Sequence, residues 1–289
     1  MDAFLQYLVQ GLAAGSFYAL SALGLAIIFG VLGVVNFAHG AFYMLGAVAT
    51  AVLLNTLHLS LWWALLLVPV LMFLFGIVVE RLLVQWLLGL DQLYNFLLTF
   101  GLTLVLVELV KLRYGVSGLP YHRPDLLGGR IGVFGISLPT YQLFVLGLSL
   151  VVCLLVWLLM TRTRVGMIVR ASTEKSDLTR ALGINVGRWV TPVFGFGVAL
   201  AGLAGVLAAP MRAITADMGS NFIIILFAVV VIGGLGSIVG AVAAGFLVGL
   251  VEAFGQAYAP TYAQILIFVL MAVVVLLRPG GLFGREETA

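Results

Sequence analysis

Residues 141–160 read YQLFVLGLSLVVCLLVWLLM, a run without a single charged side chain. No other feature restricts the fold of this chain as strongly. About 20 consecutive apolar residues suffice to cross a bilayer as an α-helix. In lipid, backbone amides must be paired within a helix or a closed barrel. Barrel strands are about 10 residues long and alternate in polarity, and this run does neither. Comparable runs recur at 8–29, 36–57, 61–83, 93–110, 190–209, 222–257 and 262–277. Only 9% of the 289 residues are charged, against about 25% in soluble domains, so a water-facing surface cannot be assembled. The fold class is therefore all-α: a polytopic membrane protein with eight spans in a single transmembrane domain, residues 1–289.

Glycines interrupt the pattern. The run 222–257 is too long for one crossing, and Gly233, Gly234 and Gly236 divide it into an expected half-helix and a full helix. Broken or re-entrant backbone survives at membrane depth only where it packs on protein or lines a cavity. The stretches IFGVLGVVNFAHG and VIGGLGSIVGAVA hold comparable places in the two halves, which would fit an internal repeat. Rows of small residues at helical spacing, Gly11, Gly15 and Ala19 and again Ala241, Gly245 and Gly249, predict close helix approach.

Lys and Arg set the orientation. Placing 161–189 in the cytoplasm puts nine of the fourteen basic residues inside and five outside, in keeping with the positive-inside rule. The N-terminus is then external, the C-terminus cytoplasmic, and 112–140 a large external loop. The same bias explains the net charge of +3 without a nucleic-acid partner. Asp2 and the absence of a basic n-region argue against a cleavable signal peptide. The lone Cys153 lies in an apolar run and reads as a buried, inert thiol.

The sequence has no Walker A pattern, no Cys/His metal cluster, and neither HEXXH nor GXSXG. Catalytic residues, a metal site and enzymatic activity are therefore not expected. The span centres are almost free of charge, with Glu80, Glu108 and Glu252 near span ends, so the route for a solute is expected to lack fixed charge. Asn36, His39 and Tyr43 fall at i, i+3 and i+7, one face of a helix beginning after Gly30 and Gly33. Such a stripe is either an interhelical hydrogen-bond clamp or part of a translocation path. Gly233, Gly234 and Gly236 are the path candidates of the second break. In the longest cytoplasmic segment, 172–182 predicts a short helix with Ser172 as N-cap and Gly183 as stop. Its apolar Leu178, Ala181 and Leu182 sit among Glu174, Lys175 and Asp177, a pattern that fits either a solvated loop or docking into a partner's groove.

NFAHG followed by YMLGA, then GMIVRASTEKSDLTRALGIN, VIGGLGSIVGAVAAG and the ending RPGGLFGR together resemble the LivH-type permease subunits of ABC importers for branched-chain amino acids. The resemblance covers essentially the whole chain. One departure is Ala41, where many members carry a glutamate. The resemblance implies a sister permease, two ATP-binding cassette ATPase subunits and an external or periplasmic solute-binding protein as partners in the cell inner membrane. It implies ATP and magnesium on the ATPase subunits, with no cofactor on this chain. It also makes Glu174, Lys175, Asp177, Leu178, Leu182 and Gly183 the ATPase-coupling residues. The solute is then a small neutral or zwitterionic compound, foremost a branched-chain amino acid. Related importers of urea or short amides, and a stand-alone channel or facilitator for a small neutral solute, are the alternatives.

Overall fold

The computed structural model describes residues 2–33, 35–87, 90–121, 127–133, 136–174 and 187–284. Its helices are α1 (Asp2–Leu32), α2 (His39–Leu57), α3 (Leu61–Leu82), α4 (Gln92–Tyr114), α5 (Thr140–Arg162), α6 (Arg164–Glu174), α7 (Gly187–Ala208), α8 (Met218–Gly233), α9 (Ile238–Tyr258) and α10 (Ala263–Leu277). A small antiparallel hairpin, β1 (Arg130–Val133) with β2 (Ile136–Pro139), precedes α5 and pairs Arg130 with Pro139. Among the described residues, eight helices are long and apolar enough to cross a membrane, and α8 is a shorter apolar helix. The protein is an all-α polytopic membrane protein. The long run 222–257 is divided as its glycines predict, into α8 and α9.

Burial sorts the helices. α1 and α7 are 78% and 72% buried over their most apolar windows, whereas α10 is 17% buried. The first two form the centre, with α9, α5, α2 and α3 packed around them. The outer helices show continuous apolar faces: Leu66, Val70, Leu74 and Val78 on α3 are all about half exposed. A stripe at intervals of four residues is one helix face, and hydrocarbon, unlike water, imposes no cost on it.

The two small-residue rows turn out to be each other's partners. A Cβ on Gly15 would lie 2.8 Å from Phe246 Cα, and one on Gly245 would lie 2.5 Å from Ala19 N. α1 and α9 therefore meet backbone to backbone, the contact that small residues permit in lipid.

Both breaks occur where the glycines place them, but they differ in form. Gly33 adopts φ 67° and Gly234 φ 99°, left-handed conformations that favour glycine. After Gly33 the chain turns back along α1. His39 reaches Ser21, eleven residues before Leu32 and so about 17 Å back along the helix axis at 1.5 Å per residue. The irregular segment thus lies deep in the bundle, and some of its polar groups are answered there. Asn36 Oδ1 accepts from Ala38 N at 3.0 Å, and the Thr103 hydroxyl on α4 is shared between Thr99 O at 2.9 Å and Phe37 O at 3.3 Å. At the second break the chain's own end supplies the donors: Leu282 N bonds Ile232 O at 2.8 Å and Phe283 N bonds Gly233 O at 3.1 Å. These are carbonyls that the end of α8 leaves open.

Two sequence readings are corrected here. Asn36 is not on a helix with His39 and Tyr43, because α2 begins only at His39; Asn36 instead closes the turn before it. Ser172 is not an N-cap but lies inside α6. That helix starts earlier, where Thr163 Oγ1 accepts from Gly166 N at 3.2 Å, and it buries Val169 and Ser172 on its inner face. The predicted helix stop and docking patch, with Lys175, Asp177, Leu178, Leu182 and Gly183, lie outside the described residues. Glu174 is the last described residue of α6.

Candidate translocation site

The polar stripe of the first break is enclosed. Asn36, His39 and Tyr43 are at most 2% exposed. His39 Nε2 lies 3.0 Å from Ser21 O. A carbonyl oxygen only accepts, so Nε2 carries the proton, and the ring ties α2 to α1. His39 Nδ1, Asn36 Nδ2 and the Tyr43 hydroxyl have no partner among the described residues. Ala41 is fully buried. At the second break Gly233 and Gly234 are buried and Gly236 half-buried. Gly233 packs on Gly240, Gly234 on the C-terminal Gly280 and Gly284, and Gly236 faces Gly30.

Tyr43 leads to the other end of the bundle. Gly40 and Gly219 touch backbone to backbone, bringing α2 against α8. Tyr43 then stacks on Phe222 with ring centres 3.9 Å apart, and Phe222 stacks on Tyr18 of α1 at 5.4 Å. All three rings are buried. They form a three-ring stack through the middle of the molecule.

Beside this stack lies a pocket of about 480 Å³ lined by α1, Pro139 and the start of α5, residues 211–213 and the last part of α9. α5 begins here while α7 and α9 end here, so the pocket sits at one end of the bundle. The breaks at Gly33 and Gly234 lie toward the other. Phe17, Met211 and Ala253 give apolar wall, and Gln142 and Gln256 give amides. Two charges stand in it. Arg212 Nη2 is 3.6 Å from Glu252 Oε1, with the side chains 35% and 13% exposed. Tyr18 donates to Glu252 Oε2 at 2.7 Å, and Gln256 donates to Oε1 at 3.3 Å. Arg212 Nη2 approaches the Tyr18 hydroxyl at 3.5 Å, and the guanidinium lies over the Phe17 and Tyr18 rings.

Local structure fixes the arginine. Met211 N and Arg212 N both bond Ala208 O at 2.9 Å, closing the end of α7. Leu119 N bonds Ile214 O at 2.9 Å, and Lys111 pairs with Asp217 at 3.1 Å. The segment that carries Arg212 is thus held at both ends. The Tyr141 hydroxyl donates to Leu207 O at 2.9 Å and sets the opposite wall.

Residues 7–275 match the family described as branched-chain amino acid transport system, permease component. The chain belongs to that family. This permease component is 32% identical to the high-affinity branched-chain amino acid transport system permease protein BraD of Pseudomonas aeruginosa, over 98% of this chain and 97% of that one. It is 30% identical to the corresponding LivH of Escherichia coli, over 98% and 96%. It is 33% identical to the probable branched-chain amino acid transport permease protein LivH of Methanocaldococcus jannaschii, over 45% and 44%. No solved structure matches.

The pocket carries an ion pair, whereas the span centres read from the sequence as almost free of charge. Glu252 lies in the last two turns of α9, near the span end as the sequence suggests, and Arg212 comes from a connecting segment to meet it. One signal was legible: Glu252 is an ionisable residue within an apolar run, which marks a functional candidate by default. Its partner, forty positions earlier in a polar segment, carried no comparable mark. A second buried acid, Glu80, is 2% exposed and accepts from Thr191 Oγ1 at 2.7 Å, linking α3 to α7 away from the pocket.

Proposed function

We propose that this chain is the membrane-spanning subunit of an ATP-driven importer that carries leucine, isoleucine or valine across the inner membrane. The observation that carries this reading is the pocket: apolar walls around one positive and one negative side chain, in a member of the branched-chain permease family. A site whose charges sum to zero favours a solute without net charge, because a net ion would be desolvated with one protein charge left unanswered. The apolar wall accommodates a branched aliphatic side chain. Such walls separate solutes differing by one methylene by only about 1–3 kcal/mol, so fine selection falls to a solute-binding protein outside the membrane.

Energy comes from partners. Two ATPase subunits bind ATP and magnesium and dock on 161–189 of this chain, with Leu178 and Leu182 as anchors and Glu174, Lys175, Asp177 and Gly183 around them. A sister permease, identical or related, completes the pore. The N-terminus and the pocket face outward and the C-terminus inward, an orientation supported by the distribution of Lys and Arg. The path runs from the pocket through the Tyr18–Phe222–Tyr43 stack and past Asn36 and His39. It leaves between the broken helix ends, near Gly233, Gly234 and Gly236, as one permease half moves against the other.

The test is uptake of labelled leucine by the complete assembly in vesicles, with valine, urea, lysine or glutamate in excess. Valine competes strongly and the charged amino acids weakly if the reading holds. Competition by urea without valine moves the chain to the amide importers. Strong competition by lysine or glutamate removes the charge argument, and uptake without ATPase subunits makes the chain a facilitator.

A further inference from the structure

We propose that Arg212 and Glu252 are the two halves of a zwitterion-recognition site: Arg212 takes the α-carboxylate and Glu252 the α-ammonium of an incoming amino acid. The assignment rests on the amino-acid reading above and adds to it the chemistry of the site.

The geometry of the pair is the first reason. Charge-assisted N–H···O contacts close to about 2.7–2.9 Å when two partners are matched, and arginine presents five donors in a fork suited to a carboxylate. Here Arg212 meets both Glu252 and Tyr18 through the single nitrogen Nη2, at 3.6 and 3.5 Å. No other partner holds its remaining donors among the described residues, and the side chain lines the pocket. The arginine is held close to the acid without being satisfied by it. Glu252 is oriented instead by Tyr18 and Gln256. A carboxylate has about four acceptor positions, and these two bonds leave room for an ammonium.

The energetics are the second reason. A partly buried ion pair is weak evidence for stability, since desolvation offsets most of its attraction. The segment 209–217 is already pinned by Leu119, Lys111 and the turn on Ala208, so the pair is not needed as a tether. A pair that opens to admit a zwitterion exchanges one set of charge contacts for two. A solute with one pole leaves the other protein charge without its partner. The pocket's 480 Å³ falls within the range of about 300–1,000 Å³ typical of small-molecule sites. Glu252, which lines the pocket, is bonded by the buried Tyr18, the residue that begins the ring stack. An ammonium on the acceptor positions left open on Glu252 therefore sits on the same carboxylate that holds the top of that stack through Tyr18.

The test uses the full assembly in lipid nanodiscs, titrated by saturation-transfer NMR with leucine, 4-methylpentanoate, which lacks the ammonium, and 3-methylbutylamine, which lacks the carboxylate. Leucine binding at least tenfold tighter than either analogue is expected. Arg212→Gln and Glu252→Gln should each weaken leucine at least tenfold while the assembly stays intact by size exclusion. Leucine binding within twofold of the parent in both variants overturns the assignment, as does equal binding of leucine and either analogue. If a glutamine variant fails to assemble, Arg212→Lys and Glu252→Asp decide: weaker leucine binding supports the site and unchanged binding overturns it. Absence of leucine uptake by the unaltered assembly is a separate result, which removes the amino-acid reading itself.

Discussion

At single positions, the buried polar side chains are the sensitive points. His39 holds Ser21 O with one nitrogen while the other has no partner among the described residues. With Cys153 replaced by alanine, His39→Cys is expected to resist a small polar thiol reagent in the absence of ATP, because the site is fully buried. Labelling that appears during ATP turnover places it on the route. Protection throughout, with transport intact, leaves it a clamp between α1 and α2. Glu80 has a simpler dependence. Thr191→Val removes its hydroxyl donor and leaves a buried carboxylate short of one bond, which costs about 1–3 kcal/mol. The measurement is thermal or denaturant unfolding of the purified permease, with Thr191→Ser, which keeps the donor, expected near the parent.

Helices are positioned in this protein by what their glycines allow. Where α1 and α9 cross, a Cβ at Gly245 meets Ala19 backbone at 2.5 Å, and neither helix can yield without disturbing the other's packing. Gly245→Val is expected to destabilise by about 1–3 kcal/mol, the usual cost of overpacking. Gly101 on α4 is the contrast, since nothing lies within 4 Å of a Cβ built there. Gly101→Ala is expected to be neutral or to stabilise by up to about 1 kcal/mol through helix propensity alone. The two variants compared in one unfolding series separate glycine as a contact from glycine as an incidental residue. The breaks follow a related logic. Gly33 and Gly234 each turn the chain, but one sends it back into the bundle and the other docks on the chain's own C-terminal segment.

The whole molecule has a buried centre of α1 and α7, an ionic pocket at one end and glycine breaks toward the other. In the proposed importer, motion from the ATPase subunits enters through the segment after α5; α6 rests on α5 and α1 and leads directly into 175–186. Leu178→Asp places a charge where an apolar anchor is proposed. It is expected to weaken ATPase docking by about 2 kcal/mol or more, the scale of an interface hot spot, and to lower uptake in parallel. Co-purification of the ATPase subunits with membrane-inserted permease reads this directly, and normal recovery removes that segment from the interface.

Length and apolarity were enough to read the class, the spans and the division of 222–257, because in lipid a helix satisfies its own backbone and needs no distant partner to exist. The small-residue rows were legible for the same local reason, their spacing being a property of one helix. Their pairing with each other was not, since spacing does not name the opposing surface. Asn36 read as helical because i, i+3, i+7 spacing continues across a break whose path back to Ser21 depends on α1 and α4. Arg212 and Glu252 are the clearest case. One stands in a polar connection and the other within an apolar run, and only the packing of α1, α7 and α9 brings their charges into one pocket. Coulomb attraction acts across space, and a sequence records only distance along the chain.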